Sequence, residues 1–229
     1  MTNEGGSAAG VRIAYGEFSL GGPLRFLSHQ ELMDCFSRAL VRSGSPVAFS
    51  KGFNPRPKVS LPLPRSVGMA CETDLVRMEL EGEADPEALQ DRLAGALPEG
   101  MTLRRVWITA SKTFPQVEAV EWEIDVTGLA TEALEARCRE VMAAERWPIE
   151  RKSPKMDRPA PLDLRRFVLD LRLEDGRLRA RLAVGPEGSL RPGELAEALG
   201  LDAALGTSRI TRTAIEWKNK GFFDMQRVA

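Results

Sequence analysis

The chain has 229 residues, with 32 Lys and Arg against 33 Asp and Glu and 43% hydrophobic residues, enough for one large domain or two small ones around a real core. No apolar run approaches the roughly 20 residues needed to span a bilayer. Residues 1–10 lack the basic and apolar regions of a secretory signal. Cys35, Cys71 and Cys138 are widely spaced and odd in number, which excludes a disulfide framework or zinc site and leads us to expect a soluble cytoplasmic protein.

In chain order, residues 1–10 read as a disordered tail. Val11-Arg12-Ile13-Ala14-Tyr15 alternates as a strand does. Ser28 and Glu31 have the spacing of a capping box, which starts a helix at His29. Leu32, Met33, Phe36, Ala39 and Leu40 keep the helical period, and Gly44 is its stop. A short strand over 47–50, a basic loop, an extended piece over 58–63 and a strand over 75–81 follow. Asp85-Pro86 opens a helix carrying Leu89, Leu93 and Leu97, which Pro98 and Gly100 end; residues 103–109 are the next strand.

The second half begins in the same way. Val120, Trp122, Ile124 and Val126 alternate with Glu121, Glu123 and Asp125. Thr131 can cap a helix carrying Leu134, Cys138, Val141 and Met142, and a strand over 147–151 follows. Strict alternation on either side of Asp175-Gly176 marks a two-residue hairpin between 166–174 and 177–184. A short helix over 192–199 and a strand over 209–217 complete the order. The expectation is an α+β chain of two tandem ferredoxin-like (β-α-β-β-α-β) sandwiches with antiparallel sheets. The first occupies 11–110, a linker 111–118, the second 119–217 with an insertion at about 152–163, and a C-terminal tail 218–229.

The window from Phe36 to Cys71 contains no acid, and its only charges are Arg38, Arg42, Lys51, Arg56, Lys58 and Arg65. At its centre Ala48-Phe49-Ser50-Lys51-Gly52-Phe53-Asn54-Pro55-Arg56-Pro57-Lys58 mixes two aromatic rings with three cations. A positive field beside stackable rings suits single-stranded nucleic acid or phosphate. The competing reading is a solvated loop whose cations pair with acids from elsewhere in the fold.

A second basic patch comprises Arg151, Lys152, Lys155 and Arg158, continuing into Arg165 and Arg166. It reads either as an arm tracking a phosphate backbone or as a solvated loop between strands. His29 is the only histidine. In a first helical turn, where the dipole disfavours positive charge, it suits a base or a ribose contact. The alternative is a first-turn residue bonded to backbone. No phosphate loop, dinucleotide fingerprint, triad order or metal spacing accompanies it. Trp122, Trp147 and Trp217 read as core or sheet packing.

Arg25-Phe26-Leu27-Ser28-His29-Gln30-Glu31-Leu32-Met33 and the loop 48–58 resemble the radical-SAM-associated family of unknown function. Its usual form is R-F-L-S-H-L-D-L-M and Y-S-Q-G-F-N-P-H-P-K. Leu61-Pro62-Leu63-Pro64 with Val67-Gly68 is similar to its L-P-L-P-x-x-V-G turn. Asp163-Leu164-Arg165, Leu190-Arg191-Pro192 and Thr211-Arg212-Thr213-Ala214 match weaker blocks, so the resemblance runs nearly the length of the chain. Glu31 stands where the family has Asp. Arg56 stands where it has His, which removes a histidine pair. The family domain occurs alone or fused behind a cobalamin-binding radical SAM enzyme, often beside genes for ribonuclease E/G and ribosomal proteins. The resemblance therefore implies RNA maturation or modification, with this chain as the detached partner.

The leading expectation is a non-catalytic RNA-binding accessory module acting with a radical SAM enzyme on rRNA or tRNA, with no metal or cofactor of its own. Lys51, Arg56 and Lys58 would hold phosphates, Phe53 or Phe49 would stack a base, and Asn54 would bond a base edge or sugar. Ser28 and His29 would line the same pocket, and Arg25, Ser50 and Arg165 are further candidate contacts. One alternative is a protein-interaction subunit docking the radical SAM partner without RNA. The other is an RNA-acting enzyme, endonuclease-like or pseudouridine-synthase-like, that uses His29.

Overall fold

A computed structural model describes residues 12–129, 131–151, 158–201 and 209–218. The tail expected at 1–10 lies outside these residues, as does the one at 218–229 apart from Lys218. Among the described residues the chain is mixed α+β, with four helices and a large, mostly antiparallel sheet. Its contacts divide it into two units. The first takes described residues 12–66 and 74–114; the second takes 67–73 and 115–218.

In the first unit, strand β1 (Arg12–Leu20) runs past the Tyr15 boundary that alternation suggests. Gly16 does not break it. A Cβ there would lie 3.0 Å from Leu103 Cδ1 and Val76 Cγ1, so the missing side chain lets neighbouring strands close over the backbone. A 3-10 turn over Gly22–Phe26 leads to helix α1 (His29–Arg42), which starts at the expected capping box. Leu32, Phe36, Ala39 and Leu40 of α1 are buried, and Phe36 meets Phe18 of β1 edge-on at 4.9 Å between centroids. Gly44, at φ +63°, turns the chain out of the helix.

Strand β2 (Val59–Ser60) is short, and residues 47–50 supply only single bridges, Val47 with Leu80 and Phe49 with Pro57. Strand β3 (Ala70–Leu80) starts earlier than expected, and its residues 74–80 belong to this unit. Helix α2 (Pro86–Ala94) is capped by Asp85, whose carboxylate accepts the Ala88 amide at 2.9 Å. It ends at Gly95, before Leu97, and buries Leu89 and Leu93. Strand β4 (Met101–Thr109) lies antiparallel to β1, and the strand order is β2-β3-β1-β4.

The second unit begins with strand β5 (Val117–Asp125) and helix α3 (Thr131–Ala143). Strands β6 (Pro148–Arg151) and β7 (Ala160–Asp163) form a separate two-stranded sheet, so residues 160–163 of the expected insertion are strand. Strands β8 (Val168–Glu174) and β9 (Arg177–Gly185) form the expected hairpin. Asp175 at φ +50° and Gly176 at φ +71° give its turn the two left-handed residues such a hairpin needs. Strand β10 (Gly188–Ser189), helix α4 (Pro192–Ala198) and strand β11 (Ile210–Trp217) follow.

Here β9 pairs with β8 and β5, and β5 with β11, all antiparallel. Thr211 and Arg212 of β11 also pair in parallel with Ala70 and Cys71. Trp122 is buried beneath the Arg212 guanidinium, which sits 5.0 Å from a ring centroid. Across the pleat, Arg177, Arg179 and Arg181 of β9 stand opposite Asp125, Glu123 and Glu121 of β5, a pairing of opposite charges on neighbouring strands.

Candidate nucleic-acid interface

Residues 48–58 form a hairpin anchored on β3. Ala48 N donates to Glu79 O at 2.7 Å, Glu79 N to Lys58 O at 3.0 Å, and Lys58 N to Ala48 O at 2.8 Å. One step further out, Ser50 N donates to Arg56 O at 2.8 Å and Arg56 N donates to Ser50 Oγ at 3.0 Å. These bonds leave Lys51-Gly52-Phe53-Asn54-Pro55 as the tip, with Gly52 at φ +139°. Every residue from Lys51 to Arg56 is exposed, and Phe53 stands fully in solvent at 101% relative accessibility. Water thus meets both faces of a ring whose burial elsewhere would give about 2 kcal/mol. Phe49, near the base of the hairpin, is 41% exposed.

The three loop cations have different surroundings. Lys51 makes no ion pair among the described residues. Arg56 Nη1 lies 3.9 Å from Asp34 Oδ1 on α1. Lys58 Nζ lies 3.1 Å from Glu79 Oε2, and Arg77 Nη1 reaches the other oxygen at 3.1 Å. Burial alone would raise the Glu79 carboxyl, but hydrogen bonds from Lys58 and Arg77 outweigh it and hold it below its ordinary value. Pairing with distant acids therefore accounts for Lys58 and leaves Lys51 untouched.

The candidates around the start of α1 are less concentrated. The Arg25 carbonyl accepts Arg65 Nη1 at 3.0 Å in the 3-10 turn. Ser28 Oγ caps the helix, and hydrogen bonds from Ser28 keep the Glu31 carboxyl below its ordinary value. His29 is exposed, and its side chain makes no hydrogen bond or ion pair among the described residues. Five residues at about 100° each put it about 140° round α1 from Asp34, the ion-pair partner of Arg56. The structure brings Asp34 to the loop and gives the His29 side chain no hydrogen bond or ion pair with it among the described residues. Ser50 is occupied within the hairpin itself.

Residues 13–192 match the family DUF2344, described as "Uncharacterized protein conserved in bacteria". The chain belongs to this family. No curated protein matches it. Among solved structures, an unknown protein from Galdieria sulphuraria is similar at 13% identity, covering 90% of this chain and 98% of the other, with a TM-score of 0.26. A candidate glycine cleavage system transcriptional repressor is similar at 8% identity, covering 90% and 96%, with a TM-score of 0.24.

In the second unit of this DUF2344 chain, the described part of the other basic patch is largely paired. Arg151 Nε and Nη2 bond both oxygens of Glu194 at 2.8 and 2.7 Å, and Nη2 also reaches Ser189 O at 2.6 Å. Arg166 pairs with Glu187. The Arg165 amide donates to Asp163 Oδ1 at 3.2 Å and its guanidinium to the Val168 carbonyl. Lys152 and Lys155 lie outside the described residues. Trp147, expected in core or sheet packing, is half-buried just before β6 and lies under Arg137, 4.6 Å from a ring centroid.

A cavity of about 250 Å³ on the β5-β9-β8 face is lined by residues including Glu121, Asp170, Arg172, Glu174, Arg179 and Arg181. Its arginines are already matched by carboxylates: Arg172 to Asp170, Arg179 to Glu123 and Glu174, and Arg181 to Glu216. Among the described residues no cluster of His, Cys, Asp and Glu could hold a metal ion, and no helix is long and apolar enough to cross a membrane. The residue that sequence reasoning missed is Asp34. Its signal was present, because it is the last acid before the acid-free window begins at Phe36.

Proposed function

We propose that this chain binds single-stranded RNA through the hairpin tip at residues 51–55 and Arg56 beside it. In this reading it is a non-catalytic accessory module for a radical SAM enzyme that modifies or matures rRNA or tRNA. The observation that carries the RNA half is Phe53: a ring in solvent on a hairpin fixed by main-chain bonds, with Lys51 on one side and Arg56 on the other. Such a ring offers a face to an unpaired base, a contact worth about 1–3 kcal/mol. Lys51 and Arg56 reach the flanking phosphates, and the Asn54 amide offers both a donor and an acceptor to a base edge or sugar. Lys58 holds the hairpin on β3 through Glu79. The radical SAM half rests on the motif resemblance at 25–33 and 48–58.

We infer two tandem ferredoxin-like sandwiches as the scaffold. In that architecture the first strand lies between the third and fourth, and the second lies beside the third. The orders β2-β3-β1-β4 and β8-β9-β5-β11 support this reading.

The test is titration of a labelled single-stranded oligoribonucleotide over a range of salt. Phe53→Ala weakens binding about tenfold. Lys51→Ala weakens it less and reduces the salt slope by about 0.7. If both variants bind as the parent does, the tip is not the site. A partner complex that survives ribonuclease, with no RNA binding by the free chain, favours protein docking through the same exposed ring.

A further inference from the structure

We infer that Asp34 is a built-in competitor for the phosphate at Arg56, so that the hairpin takes up RNA by exchanging one anion for another. The inference rests on the RNA reading above. Asp34 and Arg56 come from different elements, α1 and the hairpin, and meet at 3.9 Å, beyond hydrogen-bond length. Their side chains are 42% and 74% exposed. A solvated pair of this kind is weak and easily broken. Arg151 and Glu194 show the contrast, with two short hydrogen bonds and exposures of only 21% and 14%.

Asp34 is itself steadied. Gln30, one turn earlier on α1, donates Nε2 to Asp34 Oδ1 at 3.1 Å, the same oxygen that faces Arg56. The carboxylate therefore keeps its place while the arginine remains uncommitted. A phosphate diester offers the guanidinium fork two oxygens at hydrogen-bond distance, which Asp34 at its present distance does not. Arg56 swings to the phosphate, and the attraction to Asp34 that it gives up offsets part of what the phosphate contributes. Asp34 thus sets the affinity of the site. It weakens casual contact with any polyanion and leaves the advantage to a strand that also stacks on Phe53.

A double-mutant cycle on the full chain tests this, with a fluorescein-labelled oligouridylate as the probe and thermal unfolding as the folding control. Asp34→Asn keeps the oxygen that Gln30 bonds and removes the charge. It tightens binding about two- to fivefold at low salt. The gain shrinks as salt is raised, and it disappears when Arg56 is Ala, so that the double variant binds as Arg56→Ala does. Unchanged or weaker binding by Asp34→Asn, with Phe53→Ala still impaired, overturns the competition and leaves the RNA site standing. A gain that persists without Arg56 also overturns it, since that is a general charge effect. Absence of binding by the parent chain removes the RNA reading and this inference together.

Discussion

Ser28 and Glu31 satisfy each other at the start of α1: the Glu31 amide donates to Ser28 Oγ at 3.3 Å, and the Ser28 amide donates to Glu31 Oε2 at 2.8 Å. Both belong to the motif at residues 25–33, and both have a structural task. Ser28→Ala is expected to lower stability by about 1 kcal/mol. The urea midpoint should fall at constant slope, with RNA affinity unchanged. Loss of RNA binding without loss of stability would return Ser28 to the site.

Acid should loosen the first unit in a defined range. Glu31 and Glu79 both titrate below their ordinary value of 4.5 when folded. They bind protons less readily in the folded chain, so their contribution is complete above about pH 4.5 and is lost as pH falls through the lower folded values. The urea midpoint is expected to hold from pH 7 to 5 and to fall below about 4.5. Glu79→Gln should remove part of that fall. A decline starting near pH 6 would point to other groups.

Lys58 and Lys51 are seven residues apart and are expected to separate by experiment. Lys58→Ala gives up a partly exposed ion pair and lowers stability by about 0.5 kcal/mol. Lys51→Ala leaves stability within about 0.5 kcal/mol of the parent and weakens RNA binding. Denaturant unfolding and RNA titration on the same two proteins check both halves.

The turn between β8 and β9 depends on Gly176. At φ +71° a side chain is strained, and a Cβ would also lie 3.2 Å from Thr127 Oγ1. Gly176→Ala is therefore expected to lower stability by about 1–2 kcal/mol. Unfolding measured in urea decides it, and no loss would mean that the turn has another conformation.

Cys138 should be inert in the folded chain. Burial, with Glu135 nearby adding to it, pushes its thiol up to about 11. Only about one thousandth is thiolate at pH 8, so alkylation should proceed at the rate of unfolding. Rapid labelling of Cys138 under native conditions would contradict its burial on α3.

The features legible in the sequence were those written in a few consecutive residues. The Ser28–Glu31 cap, the Asp85-Pro86 helix start and the Asp175-Gly176 turn each stand where local chemistry puts them. Element ends were harder. Strand β1 continues to Leu20 because Gly16 admits Leu103 and Val76, and β3 begins at Ala70 because its first residues pair with β11. The exposed tip was legible from its glycine and prolines. The partners of its cations were not. Asp34 meets Arg56 and Glu79 meets Lys58 only once helix and sheet have packed, and no local pattern encodes that meeting.

RNA co-purifying with the tagged chain from its own cells tests the central claim most directly. The control carries Lys51→Glu, Phe53→Ala and Arg56→Glu, which leaves the Lys58–Glu79 anchor intact. Sequencing is predicted to show one ribosomal or transfer RNA enriched with the parent and lost with the control. Equal recovery of that RNA by both proteins, or no RNA above background, would contradict an RNA site at the hairpin tip.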